Sequence, residues 1–290
     1  MKYKFLLPVL LAPFMGAAQN AYDYYGDKVQ LEAHYFQSRN AGKLQGDKKQ
    51  AYQGMDISNG GLLVSAQATG VVTVYDVKNT DLDKEKQFKL SSYAKTANAY
   101  NLALSTQKWA DDDALPLLYV SGNGGVLAVE RVDKKYKNVK TVQSITITDV
   151  KADKIYWTLD GDNAFLYAVA VAKSGTHQVL RFALPEVGEN APAEVKLSAK
   201  DALDSHIIEN FYQGASLASA HGVSVHNGML YITAGSAKEP SRLYVWDLYG
   251  KMMRNVIDLS AATRGELAAC SVWNGALWVQ TQEGVYKLIF

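Results

Sequence analysis

The residues that could indicate a metal site are few and poorly spaced for it. His221 and His226 are five residues apart, and on a β-strand an odd spacing turns two side chains to opposite faces, so the pair cannot share one metal ion. Residues 160–163 read Asp-Gly-Asp-Asn, which resembles the start of a calcium loop but lacks its further ligands and its terminal Glu. A hairpin turn explains this run. We therefore predict no metal site and no cofactor.

Nucleophilic chemistry has equally little support. Cys270 is the only cysteine and lies in an apolar, strand-like stretch, with no neighbouring His or cation in sequence to lower its pKa. No Gly-x-Ser-x-Gly elbow is present. The Gly-rich residues 122–125 join two predicted strands and do not open a helix, so they form no phosphate cradle. We predict no catalytic residue here, and a binding protein in preference to an enzyme.

Composition excludes several classes of partner. The chain has 290 residues, of which 48% are hydrophobic and 20% charged, and its formal net charge is +1. Near-neutrality argues against nucleic acid, because neutralising phosphates needs a cationic surface. Beyond the N-terminus no apolar run approaches the length of a membrane span. We expect a monomer with no nucleic-acid partner and no membrane span.

The N-terminus has the pattern of a secretory signal peptide. Lys2 and Lys4 form a short basic region, residues 5–15 are apolar, and residues 16–18 are the small residues Gly-Ala-Ala. We predict that residues 1–18 are a signal peptide cleaved after Ala18. Residues 19–290 would then form a single domain that is secreted or periplasmic.

The elements that must position any site are predicted to be short β-strands. Apolar runs of four to eight residues alternate with turn residues, which is typical of antiparallel hairpins. Three hairpins carry Asn-Gly, at residues 59–60, 227–228 and 274–275, and this dipeptide favours a type I′ turn. Two looser hairpins begin near Tyr100 and Ile155. A third strand follows each hairpin, so the plan repeats five times.

Most repeats also have a candidate fourth strand, at residues 86–90, 142–147, 193–197 and 255–259. The fifth has none, but residues 28–36 form an unassigned strand that could complete it and hide two sheet edges. We predict an all-β fold, a five-bladed β-propeller whose last blade is closed by the N-terminal strand. A β-sandwich is the main structural alternative.

In this architecture, the chain resembles the secreted bacterial β-propellers, including the NHL-, TolB- and quinoprotein-like groups. The resemblance covers residues 28–290 and depends on the repeated strands and the Asn-Gly hairpins. It implies that the first strand of each blade lines a central channel, and that the starts of these strands form a ligand-binding face. The residues placed there are Tyr52, Gln53, Tyr100, Asn101, Tyr156, Trp157, Ala220, His221 and Glu266. All of them except Tyr156 and Ala220 are predicted to bind the ligand.

Aromatic rings mixed with amide, imidazole and carboxylate groups suit a small polar molecule, a glycan or a peptide. The same residues could instead plug a narrow channel with satisfied hydrogen bonds. One alternative function is a glycoside hydrolase with two channel carboxylates, drawn from Asp56, Asp149, Asp160 and Glu266. Another is a scaffold for protein–protein interaction. The long inter-blade loop, residues 199–218, is predicted to act as a lid, as a short helix over the channel mouth.

Overall fold

The structure is a computed structural model that describes residues 21–22, 28–36, 51–78, 80–93, 99–208, 220–236, 239–263 and 266–289. It is built almost entirely of β-strands arranged in several sheets, so the predicted all-β class is confirmed. Two short 3-10 turns, at Asn123–Gly125 and Ala199–Asp201, interrupt the strands.

Twenty-two strands are present in the described ranges. They are β1 (Ala21–Tyr22), β2 (Lys28–Phe36), β3 (Tyr52–Ile57), β4 (Leu62–Gln67), β5 (Val71–Asp76), β6 (Asp81–Lys89), β7 (Asn101–Leu104), β8 (Leu118–Ser121), β9 (Leu127–Val132), β10 (Val139–Ile147), β11 (Lys154–Asp160), β12 (Phe165–Val171), β13 (His177–Ala183), β14 (Glu194–Leu197), β15 (Asp204–Ile208), β16 (Ala220–His226), β17 (Met229–Ser236), β18 (Glu239–Asp247), β19 (Met252–Asp258), β20 (Ala269–Trp273), β21 (Ala276–Gln280) and β22 (Gly284–Ile289).

Antiparallel pairing gathers twenty of these strands into five groups of four. Of the other two, β1 pairs with both β19 and β2, and β14 pairs in parallel with β10. Group 1 is β3–β6, group 2 is β7–β10, and group 3 is β11–β13 with β15. Group 4 is β16–β19, and group 5 is β20–β22 with β2. The N-terminal strand β2 runs antiparallel to the last strand, with Leu31 opposite Leu288 and Ala33 opposite Tyr286. The two ends of the described chain therefore share one group.

The first strands of the five groups lie side by side. β3, β7, β11, β16 and β20 contact one another in cyclic order, and β20 returns to β3. Five hydrophobic clusters fill the spaces between neighbouring groups. Trp157, for example, is buried between groups 2 and 3, and Trp278 between groups 5 and 1. Burial of these apolar side chains is the main stabilising term, so adjacent groups depend on each other.

The fourth strand of group 3 differs from the prediction. Residues 193–197 were expected there, but β14 pairs in parallel with β10 and extends group 2. Its place beside β13 is taken by β15, which falls in the predicted lid loop. β15 carries polar residues and the exposed Ile207, so it lacks the apolar alternation that marks a half-buried strand.

The Asn-Gly turns behave in two ways. Asn227 and Gly228 both have positive φ (49° and 73°), as do Asn274 and Gly275 (49° and 71°), which confirms two type I′ turns. The first hairpin differs, because its positive φ lies at Gly61 (78°) and not in the dipeptide at 59–60. There the backbone N–H of Gly61 donates to the Ser58 carbonyl at 2.9 Å, which closes a longer loop.

Two further predictions concern segments that the structure does not describe in full. The signal peptide, residues 1–18, lies outside the described residues, as do residues 209–218 of the predicted lid. No helix within the described ranges has the length and apolar character needed to cross a bilayer.

A buried histidine makes stability depend on pH. His177 is fully buried, and its Nδ1 lies 2.9 Å from the Gly175 carbonyl oxygen. Burial lowers the pKa of His177 from its ordinary 6.5 to about 4. A histidine with a lowered folded pKa stabilises the fold above the unfolded pKa and loses that contribution as pH falls.

We therefore expect the unfolding free energy to fall by about 2 kcal/mol from pH 7 to pH 5 because of His177. The variant His177→Asn retains an N–H donor near Nδ1 but does not titrate. Denaturant unfolding of both proteins at the two pH values measures the difference. Equal losses on acidification in wild type and variant would contradict this assignment.

Candidate functional site

The five first strands, β3, β7, β11, β16 and β20, contact one another in a ring. We call the end where these strands begin the strand-start end, and the end where they run into their first turns the hairpin end. Two predicted site residues, Gln53 and His221, occupy matching positions at the strand-start end. The ladder of β3 shifts register between Tyr52 and Gly54, and that of β16 shifts between Ala220 and Gly222. Each residue is thus the extra residue of a β-bulge, which re-aims a side chain relative to its strand.

His221 and Glu266 form a close pair at the strand-start end. His221 Nδ1 lies 3.1 Å from Glu266 Oε1, and Nε2 lies 2.8 Å from the Gly235 carbonyl oxygen. Burial lowers the pKa of His221, while the carboxylate of Glu266 acts in the opposite direction. A neutral His221 donates from Nε2 to Gly235, and a protonated one donates to both oxygens. Both side chains keep some exposure, at 19% and 29%.

Tyr100 completes this cluster through Tyr156, which the resemblance also places at this face. The two rings lie edge to face with centroids 6.3 Å apart, and the Tyr156 hydroxyl donates to the Ala220 carbonyl at 2.6 Å. The Tyr100 hydroxyl bonds Asn123, and the Lys154 ammonium lies 5.5 Å from the Tyr100 ring centroid. The structure thus brings Tyr100 near the His221–Glu266 pair.

Tyr52 lies apart from that cluster, between groups 1 and 5. Its ring stacks on Phe36 of β2 at a centroid distance of 4.5 Å. Its backbone N–H donates to Gln282 Oε1 at 2.9 Å, and its carbonyl accepts from Gln282 Nε2 at 3.2 Å. These contacts tie the two groups together.

Asn101 and Trp157 are parts of the framework. The Asn101 amide donates to the carbonyl oxygens of Trp157, at 2.9 Å, and Val223, at 2.8 Å. The Trp157 indole is fully buried between groups 2 and 3, and its N–H donates to the Gly125 carbonyl at 3.0 Å. A fully buried ring offers no surface to a ligand. We therefore assign both side chains to structural roles.

A cavity of about 210 Å³ opens at the hairpin end of the ring. All five first strands line it, together with the turns that follow them. None of the seven predicted site residues does. Each first strand contributes residues to its wall, for example Asp56 from β3, Leu104 from β7, Thr158 from β11, Ser224 from β16 and Ser271 from β20. The cavity therefore lies where the five first strands meet, and we call it the hairpin-end cavity.

Asp56 is the most constrained side chain in this wall. Its Oδ1 accepts hydrogen bonds from the Ser271 hydroxyl at 2.6 Å and the Ile57 N–H at 2.8 Å. Its Oδ2 accepts one from the Leu104 N–H at 2.7 Å. Burial raises the pKa of Asp56, and these three donors oppose that shift by favouring the carboxylate. Asp56 thereby joins β3 to both neighbouring first strands.

Of the four carboxylates considered for glycoside hydrolysis, only Asp56 and Asp160 lie at the same cavity. Asp149 accepts from the Ala199 N–H at 2.7 Å, near the outer strands, and Glu266 is at the strand-start end. Asp160 shares the cavity with Asp56, but its oxygens accept from the Asn163 backbone and side-chain amides. In the described part of the chain, no three His, Cys, Asp or Glu side chains come together as a metal site.

Cys270 also lines the hairpin-end cavity, where it remains a thiol. Burial and the neighbouring Asp56 raise its pKa, so it is a poor nucleophile. The cavity-facing residues Ser224, Ser271 and Thr158 belong to strands that the sequence predicted correctly. Alternation along those strands was the only signal that could have selected them, and it does not distinguish a cavity wall from a packed channel.

Comparison with known proteins gives little further information. No protein-family model matches the chain, and no curated protein matches it. Among solved structures, it is similar to a chain in a crystal structure of the mitotic checkpoint complex, with 10% sequence identity and a TM-score of 0.43. That match covers 84% of this chain and 75% of the other. A similarity this distant identifies neither the fold nor the function.

Proposed function

We propose that the protein is an exported five-bladed β-propeller that binds a small polar ligand in the hairpin-end cavity. The propeller arrangement is supported by the five four-stranded groups, the cyclic contacts of their first strands and the pairing of β2 with β22. Export is supported by the signal-peptide pattern of residues 1–18.

The observation that carries the proposal is the cavity itself. It is enclosed by all five first strands, and hydroxyl, amide and carboxyl groups lie in its wall. Its volume of about 210 Å³ is below the roughly 300–1,000 Å³ of sites for drug-sized molecules. The ligand is accordingly small, of the size of a monosaccharide or an amino acid.

Binding fits the geometry better than hydrolysis does. Glycoside hydrolysis needs one carboxyl group that gives up a proton and a second that attacks or activates water. In this cavity the protein donates hydrogen bonds to both oxygens of Asp56 and to both oxygens of Asp160. These bonds hold the carboxyl groups in place, which favours recognition of a ligand.

The test is a thermal-shift screen of sugars, polyols, amino acids and short peptides, followed by calorimetry on the compounds that raise the melting temperature. A ligand that binds only the native state raises its stability. If no compound in the screen binds, the proposed function is wrong.

For a compound that binds, we expect Ser224→Phe to weaken affinity by at least about tenfold, or 1.4 kcal/mol, because the ring fills the cavity from β16. Ser205→Phe is the matched control, since Ser205 is exposed on β15. Unfolding midpoints of both variants establish that they fold. Unchanged affinity in Ser224→Phe, with a loss in His221→Ala, would move the site to the strand-start end.

A further inference from the structure

The charge of the hairpin-end cavity has one sign. Three carboxyl groups line it, those of Asp56, Asp160 and Asp162. The remaining titratable residues in its wall are His226 and Cys270, and no Lys or Arg of the described chain is among the lining residues. A concave wall with carboxylates of one sign concentrates a negative potential, which attracts cations and repels anions.

Asp56 has hydrogen-bonding capacity left for a ligand. An ionised carboxylate offers about four lone-pair sites, and the protein donates to three of them. Two of those bonds end on Oδ1 and one ends on Oδ2, so the remaining site lies on Oδ2. A carboxylate taken out of water needs a charged or donating partner, and a ligand in the cavity can supply one.

Hydroxyl groups nearby complete an acceptor set. The Ser271 hydroxyl donates its proton to Asp56, which leaves its oxygen as an acceptor, and Ser271 is among the residues that line the cavity. Ser224 contributes a second hydroxyl from β16. A primary ammonium group carries three N–H donors and no acceptor, so one carboxylate and two hydroxyl oxygens match its needs.

We infer that the ligand of the hairpin-end cavity is a small organic cation with a primary ammonium group, and that Asp56 is its counter-ion. This inference depends on the proposed function, because it names the ligand class of the same cavity. Asp160, the last residue of β11, and Asp162, in the turn that follows it, supply the negative potential at the mouth.

The test uses probes that differ only in charge. One set is glucosamine, glucose and glucuronate, and the other is ethanolamine, ethylene glycol and glycolate. Calorimetry at low and high salt measures their affinities. We expect the amine of at least one set to bind about tenfold more tightly than its neutral analogue, the acid not to bind, and salt to reduce this preference.

Two variants test whether the carboxyl groups of Asp56 and Asp162 cause the preference for the amine. Asp56→Asn is expected to remove the preference for the amine, but it also replaces an acceptor of three hydrogen bonds and could impair folding. Asp162→Asn lies at the exposed mouth and should reduce amine affinity about two- to threefold at low salt. Glu194→Gln, which removes an exposed carboxylate on β14, is the control and should change nothing.

The outcomes separate the two proposals. If a neutral or acidic member binds as well as the amine, the cation inference is wrong and ligand binding stands. The cation inference is also wrong, and ligand binding stands, if no amine binds but another compound from the broader screen does and Ser224→Phe lowers the affinity for that compound. If no compound of either collection binds, the proposed function fails and this inference fails with it.

Discussion

Replacing Gly54 with Ala is expected to destabilise the fold by about 3 kcal/mol, at the upper end of the usual cost of overpacking. A Cβ built on Gly54 would lie 2.6 Å from the Leu102 backbone nitrogen and 2.8 Å from the Asn101 carbonyl carbon. Both atoms belong to the next first strand, β7, so neither can rotate away. The strands β3 and β7 would have to separate.

A loss of stability in Gly54→Ala would indicate that the first strands are too close together for an added methyl group. At a position with room for a methyl group and without a positive φ, Gly→Ala normally stabilises, because it restricts the unfolded chain. Gly188 is such a position, since a Cβ there would meet nothing within 4 Å. Gly188→Ala is the matched control, and we expect it to be neutral or slightly stabilising.

Chemical denaturation of both variants measures these changes in unfolding free energy. Gly222 offers an independent repetition, because a Cβ there would lie 2.7 Å from the Ala268 carbonyl oxygen, next to β20. If Gly54→Ala is as stable as Gly188→Ala, close approach of the first strands does not limit the fold.

The strand pattern was largely predictable because it is encoded locally. Two of the three Asn-Gly dipeptides form the expected turns, and residues 28–36 pair with the last strand. The exchange of β14 and β15 was not predictable in the same way. Both are short, partly exposed outer strands, so neither carries the apolar pattern that would assign it to a particular group.

The site was harder to predict, because residue type does not reveal whether a side chain binds a ligand or holds the strands together. Asn101 was selected as an amide for a ligand, but its amide donates to two main-chain carbonyls. Trp157 was selected as a stacking ring, but it packs between two groups. Asp56 was selected only for possible hydrolysis, and the cavity beside it exists because five strands meet there, a property of no single segment.

Replacing Asn101 with Asp is expected to destabilise the fold by about 3–5 kcal/mol at pH 7, the usual cost of an uncompensated buried charge. Asn101 is only 1% exposed. Its amide donates to the carbonyl oxygens of Trp157 on β11 and Val223 on β16. An ionised carboxyl group of nearly the same shape has no proton to donate and places negative charge against both oxygens.

The pH dependence distinguishes loss of charge complementarity from loss of shape. Because burial favours the neutral acid, the new carboxyl group would have a higher pKa in the folded than in the unfolded protein. Its destabilising effect is then small below the unfolded pKa of about 3.9 and grows as pH rises to the folded pKa. We expect Asn101→Asp to recover part of this loss near pH 4, because the neutral acid donates to one of the two carbonyl oxygens while the amide donates to both.

Denaturant unfolding of wild type and variant between pH 4 and pH 8 measures this dependence. Asn190→Asp is the control, because Asn190 is exposed and its replacement should leave stability nearly unchanged at every pH. A difference between Asn101→Asp and wild type that is below about 1 kcal/mol and independent of pH would contradict the assignment. In that case the Asn101 amide would not tie β7 to β11 and β16, and its role as a ligand-binding group would be open again.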